Sequence, residues 1–206
     1  MKQSLNKILR GYETFRDKYV HKDASIMESL SLNGQRPEIM VVACCDSRVD
    51  PALILQCDPG DLFVVRNVAN IVPPYEKDEK HHGTSAALEF ATCFLNVKHL
   101  ILLGHSQCSG IQALLDNANL GQNDFITNWV SVIKTDNSHK YGADDCAKLA
   151  LHESYKNCMT FPWIADKVAE SKLIVHLWFF DIKTGQIFSY DEKDEEYVPL
   201  SLGERV

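Results

Sequence analysis

Two short apolar runs, Ile39–Ala43 and His99–Gly104, each stop abruptly against residues that bind metals or carry charge. The first runs into Cys44-Cys45-Asp46-Ser47-Arg48, the second into His105-Ser106-Gln107-Cys108. Apolar runs of this length, without polar alternation, suit strands buried on both faces, as in a parallel sheet. A third run, Leu62–Arg66, is entered through the turn Asp58-Pro59-Gly60-Asp61, and a fourth spans Leu173–Asp181.

Helical spacing fills the intervals. One helix is expected from Thr84 to Asn96, with Ala87, Phe90, Ala91 and Phe94 inward. Others are expected over Ser109–Asn117, Asp144–Asn157 and Trp163–Ala169, while Val72–Gly83 and Ser31–Pro37 read as loop and turn. Lys183-Thr184-Gly185 turns the chain into Ile187–Tyr190, an antiparallel partner at the sheet edge. Strands alternating with helices define an α/β class: a mainly parallel central sheet of four strands plus an antiparallel edge strand, flanked by helices. Leu5, Ile8, Leu9, Tyr12, Phe15 and Tyr19 recur at helical spacing, giving an N-terminal helical arm within residues 1–34. There is no internal repeat or linker, so residues 1–206 are read as a single domain.

The formal net charge of −7 opposes binding to nucleic acid or an anionic membrane. No apolar stretch approaches membrane-spanning length, and the N-terminus lacks the pattern of a signal peptide. Seven cysteines, an odd number, fit reduced thiols in a cytoplasmic compartment.

Functional groups in open α/β sheets collect beyond the carboxyl ends of strands. If Ile39–Ala43 and His99–Gly104 are neighbours, Cys44, His105 and Cys108 converge on one point. Two thiolates and one imidazole suit Zn2+, one ion per chain, and three protein ligands leave the fourth tetrahedral position open to water. Such a site lowers the pKa of water to roughly 7. Thiolates donate more charge than imidazoles, so this set acidifies water less than three histidines do, and a hydrogen-bonding neighbour then matters. Asp46 and Arg48 supply one: the guanidinium would keep the carboxylate ionised, oriented and able only to accept. Taken singly, a cysteine after a strand is a small core residue and Asp-x-Arg a local ion pair. Both segments at strand ends together point to a metal site.

Cys44-x-Asp46-Ser47-Arg48 followed by His105-x-x-Cys108 resembles the paired signature of the β-carbonic anhydrases. The stretch from Pro59 to Asn70, Val72-Pro73-Pro74-Tyr75 and Gly83-Thr84-Ser85-Ala86-Ala87 match the family as well, so the similarity runs from Gln35 to Leu115. The resemblance implies a lyase: zinc-dependent reversible hydration of carbon dioxide to bicarbonate and a proton. It is nearest the plant-type subclass, in which Gln35 and Phe63 would contact substrate, and Val68 and Phe90 would line the same apolar pocket. Val41 stands where the other subclass has the tryptophan of a regulatory bicarbonate site. Departures are Phe90 for a tyrosine, Cys45 for the usual serine and Ser109 for a glycine. Phe94 adds no titratable group. The resemblance also implies a homodimer or higher homo-oligomer paired through the arm, with Gln35 and the Phe63–Phe90 wall coming from different chains.

Two other readings remain open. The same metal could act on carbonyl sulfide or carbon disulfide, or the site could be a non-catalytic zinc or redox-sensing centre in which the adjacent Cys44 and Cys45 oxidise and eject the metal. A purely structural site would need neither Asp46 nor Arg48.

Overall fold

Five of the six residues of the first strand, β1 (Ile39–Cys44), are buried, because nothing in it can face water until the polar turn that follows. In the computed structural model, which describes residues 2–21, 25–78, 80–115, 125–134 and 142–201, this strand lies inside a sheet of six. The others are β2 (Leu62–Asn67), β3 (His99–His105), β4 (Ile174–Phe180), β5 (Ile187–Asp191) and β6 (Glu196–Pro199). Their order is β2-β1-β3-β4-β5-β6, the first four parallel and the last two antiparallel.

The chain leaves β1 for β2 on one side, and β3 lies on the other. That reversal opens a crevice at the carboxyl ends of β1 and β3, where open α/β sheets bind their ligands. Ala43 pairs with Leu103, so Cys44 stands level with Gly104 and His105 one residue beyond.

The sheet has one strand more than the sequence suggested. β6 offers only Tyr197 and Val198 as apolar residues beside a run of charges, too little alternation to stand out. Ser25 and Glu28 also begin a helix, α2 (Ile26–Asn33), the Ser25 Oγ accepting the Glu28 N–H at 3.1 Å. The helix therefore occupies the first part of the expected turn Ser31–Pro37, and only Gly34, at φ 72°, ends it. A single helical turn, α3 (Pro51–Ile54), follows β1, capped by the Asp50 carboxylate with Pro51 in its first turn.

The expected helix from Thr84 to Asn96 is present but changes pitch. After α4 (Gly83–Glu89), residues Phe90–Phe94 form a π-turn in which the Leu95 N–H donates to the Phe90 carbonyl at 3.0 Å. Leu88, Ala91 and Thr92 face the core, whereas Phe90 and Phe94 are 43% and 69% exposed. The inward placement expected for those two phenylalanines is corrected. Leu88 with the small Ala91 and Thr92 fills the inner face, and both rings lie outside.

The remaining helices are α5 (Ser109–Leu115), α6 (Ile126–Val130), α7 (Ala143–Cys158) and α8 (Pro162–Ala169). Residues 116–117, expected to continue α5, lie outside the described residues. α7 packs against β3 and β4, and Leu151 seals the contact: a Cβ on Gly104 would meet its Cδ1 at 3.0 Å.

The arm, α1 (Lys2–Tyr19), is exposed along nearly its whole length, including Leu5, Ile8, Leu9, Tyr12 and Phe15. Asp58 Oδ1 accepts from Tyr19 Oη at 2.5 Å and from Lys18 Nζ at 3.2 Å, tying the end of the arm to the turn before β2. Among the described residues no helix is long and apolar enough to cross a membrane.

Candidate metal centre

Cys44 is the last residue of β1 and His105 the last of β3, while Cys108 directly precedes α5. Two strand ends and a helix start thus deliver the three side chains to the crevice. All three are buried, and their ligand atoms lie within 4.8 Å of one another. Among the described residues this is the one such group of three or more metal-ligating side chains.

The His105 ring is oriented for ligation. Its Nδ1–H donates to the Ser106 carbonyl at 2.9 Å, which leaves Nε2 as the lone-pair nitrogen. That Nε2 is buried and has no hydrogen-bond partner. A buried nitrogen without a partner is costly, and beside two sulfurs a metal ion would satisfy it.

Cys44 Sγ and Cys108 Sγ are 3.8 Å apart. The Cys44 thiol is pushed down, first by the hydrogen bond from Cys108, with help from the N–H groups of Asp46 and Ala69, against burial. Cys108 is pushed up, because its proton is held by Cys44 and because it is buried. Two sulfurs this close repel as thiolates, and a divalent metal held between them would offset that charge.

Asp46 and Arg48 form the expected pair in bidentate geometry. Arg48 Nε donates to Asp46 Oδ1 at 2.9 Å and Nη2 to Oδ2 at 2.7 Å, and the Arg48 N–H adds a third bond to Oδ1 at 3.0 Å. These bonds hold the Asp46 carboxyl well below its usual range despite partial burial. Oδ2 takes only one of them, so one of its lone pairs is left to accept.

Three positioning groups escaped the sequence reading. Arg66, near the end of β2, donates from Nε to the Cys44 carbonyl at 2.9 Å and from Nη2 to the Asp46 carbonyl at 2.8 Å. Its Nη1 reaches Asp50 Oδ2 at 2.6 Å, bracing the turn that carries the Asp46–Arg48 pair. A cation at the end of an otherwise apolar strand was the signal available for it. On the second turn, Ser106 Oγ donates to Asp181 Oδ1 at 3.2 Å and accepts the Ile182 N–H at 2.9 Å. The Gln107 N–H donates to Asp144 Oδ1 at 2.8 Å, and the Gln107 carbonyl accepts from Arg48 Nη2 at 3.1 Å. Gln107 has φ 55°. A left-handed non-glycine residue costs about 1–2 kcal/mol, and two bonds to charged partners, about 1.5–3 kcal/mol each, outweigh that.

The expected substrate residues divide between two ends of the sheet. Val68 opens a short 3-10 turn (Val68–Asn70) directly after β2 and packs on α5, since a Cβ on Gly110 would lie 2.7 Å from its Cγ1. It therefore lies close to Cys108. Phe63 pairs with Met40, four residues before Cys44, which places it roughly 13 Å down the strand from the metal cluster. The Phe90 ring stacks beside Phe63 with centroids 5.8 Å apart, and Phe94 beside Phe90 at 5.5 Å. Gln35 is exposed and precedes β1 at that same far end. In one chain Gln35, Phe63 and Phe90 all lie towards the end of the sheet away from the metal cluster.

Comparison with known proteins agrees with this geometry. The carbonic anhydrase family model matches residues 39–187. Beta carbonic anhydrase 3 of Arabidopsis thaliana is 34% identical over 90% of this chain and 81% of its own length. A carbonic anhydrase of Synechocystis is 32% identical over 94% of this chain and 74% of its own. Among solved structures, the β-carbonic anhydrase CcaA superposes with a TM-score of 0.85 at 31% identity, covering 98% of this chain and 94% of that one. A tetrameric β-carbonic anhydrase from Sordaria macrospora gives 0.72 at 32% identity, covering 91% and 94%. A parallel sheet with a Cys-His-Cys cluster and a carboxylate–guanidinium pair in its central crevice, matched on this scale, defines a class of lyase. The chain belongs to the β-carbonic anhydrase family.

Proposed function

We propose that this protein catalyses the reversible hydration of carbon dioxide to bicarbonate and a proton, with one zinc ion per chain held by Cys44, His105 and Cys108. The observation that carries the reading is the buried triangle of two sulfurs and an unpartnered imidazole nitrogen beside a fixed Asp46–Arg48 pair. With Zn–S bonds of about 2.3 Å, two thiolates on a tetrahedral ion stand about 3.8 Å apart, and the observed sulfur separation is 3.8 Å. When bound, zinc supplies the Lewis acidity that lets water lose a proton near neutral pH.

The chain's own residues supply the rest. Arg48 holds Asp46 ionised, and Asp46 Oδ2 accepts a hydrogen bond from an O–H group at the site, which orients that group's oxygen towards the substrate carbon. Val68 bounds the apolar side of the crevice. Gln35, Phe63 and Phe90 of a second copy complete the substrate pocket, because their own chain places them at the far end of the sheet. The exposed stripe on α1 supports that pairing: residues 1–34 act as an arm on a single domain. Phe90 offers no hydroxyl for passing protons, so proton export depends on external buffer. The protein is best described as a plant-type enzyme working in the cytoplasm as a dimer or larger assembly.

A stopped-flow assay of carbon dioxide hydration, on zinc-loaded and chelator-stripped protein, tests this. Hydration that requires zinc supports it. A zinc-loaded protein that leaves carbon dioxide untouched while hydrating carbonyl sulfide or carbon disulfide, or acting on none of the three, overturns it.

A further inference from the structure

We infer that Asp144 is a positioning residue for the metal centre, acting through the left-handed residue Gln107 on both the ligand turn and the Asp46–Arg48 pair. Asp144 sits in the first turn of α7, 36 residues after Cys108, and touches none of the three candidate ligands. Its Oδ1 takes the Gln107 N–H at 2.8 Å. Gln107 lies between His105 and Cys108, so its backbone sets the relative placement of an imidazole and a thiolate.

The other side of Gln107 is held as well. Its carbonyl accepts from the same Arg48 Nη2 that donates to Asp46 Oδ2. The order of contacts is Asp144, Gln107 N–H, Gln107 carbonyl, Arg48, Asp46. At its left-handed φ of 55° the two backbone groups of this one residue reach a carboxylate on α7 and a guanidinium on the β1 turn together. Removing the acceptor oxygen releases Gln107 towards ordinary φ values, which displaces the His105–Cys108 turn and withdraws the carbonyl that helps fix Arg48. Supports of this kind typically change metal affinity or activity 10- to 100-fold.

Asp145 provides the matched control. It carries the same charge one residue further along the first turn of α7 and is exposed, with no bond to the ligand turn among the described contacts. A role confined to helix stability would make Asp144→Ala and Asp145→Ala alike.

The inference rests on the proposed zinc site, and its test reads zinc affinity by chelator competition, independently of hydration. In the full-length protein, Asp144→Ala should raise the zinc Kd roughly tenfold or more, while Asp144→Asn, which keeps an acceptor oxygen, and Asp145→Ala stay within about threefold of wild type. If Asp144→Ala does not fold, Asp144→Ser replaces it, since serine suits a helix start but is too short to reach Gln107. In a double-mutant cycle read by the same Kd, the Asp144→Ala and Arg48→Ala effects should be less than additive, because both act on Gln107. A wild-type Kd in Asp144→Ala (or in Asp144→Ser where that replaces it), an equal effect of Asp145→Ala, or strictly additive effects would each overturn the assignment. A wild-type protein that binds zinc tightly yet hydrates no carbon dioxide would remove the proposed function and leave this test intact.

Discussion

Arg48 and Gln107, 59 residues apart in sequence, are joined by a 3.1 Å hydrogen bond from Nη2 to the carbonyl. This single contact makes the two turns at the carboxyl ends of β1 and β3 one unit. The residues on it should therefore fail together.

Asp46 and Arg48 should behave as one group in kinetics. Asp46→Asn and Arg48→Ala should each lower kcat/KM by on the order of 10- to 100-fold, the loss of a charge-assisted hydrogen bond of about 1.5–3 kcal/mol. The double variant should be little worse than either single one. Strictly multiplicative losses in steady-state assays would show the two residues acting separately.

The three ligands should be individually required for the metal. Elemental analysis of purified Cys108→Ala and His105→Ala proteins should find zinc well below one ion per chain. His105→Ala removes a nitrogen that has no other partner, whereas Cys108→Ala leaves Cys44 without the thiol now bonded to it. Full occupancy in either variant would remove that residue from the site.

Acid should reach Asp46 late. Arg48 holds its folded pKa below the ordinary value, which is about 3.9 for a free aspartate. For a depressed carboxyl, the stabilisation is complete above the unfolded pKa and is lost as pH falls through the folded one. The pair should therefore stay intact down to about pH 4, and activity changes between pH 5 and 9 should come from other groups. Carboxyl-carbon NMR titration of Asp46 checks this directly, and a midpoint at or above the ordinary value would contradict it.

Removing residues 1–20 should weaken self-association and activity together. Leu5, Ile8, Leu9 and Tyr12 are each more than half exposed, and a lone helix does not keep such a stripe in water without a partner. Sedimentation velocity and hydration assays over a range of protein concentration measure both. An active, monodisperse monomer after truncation would disprove the pairing.

The site was legible in the sequence because its residues follow directly from strand endings. An apolar run that stops at Cys44, and another that stops at His105, leave little freedom in where those side chains go. The supports were not legible for the opposite reason. Asp144 and Gln107 meet side chain to backbone across 37 residues, and neither hydrophobic period nor local spacing records such a contact. The Phe90 and Phe94 rings were placed inward because a regular 3.6-residue turn was assumed, and a π-turn rotates them to the outside. β6 was missed because packing against β5, rather than its own short and charged sequence, makes it a strand.

The two borders of the sheet differ in a way that bears on solubility. β6 is short, begins at Glu196, ends at Pro199 and follows Asp191-Glu192-Lys193-Asp194-Glu195, so its open border resists further strand addition. At the opposite border β2 reads Leu62-Phe63-Val64-Val65, with Val64 well exposed and no charge before Arg66. Unwanted growth into aggregates is thus discouraged on one flank and left on the other to whatever covers it. Should self-association cover the β2 flank, dissociation, more than unfolding, would be the event that exposes this chain to aggregation.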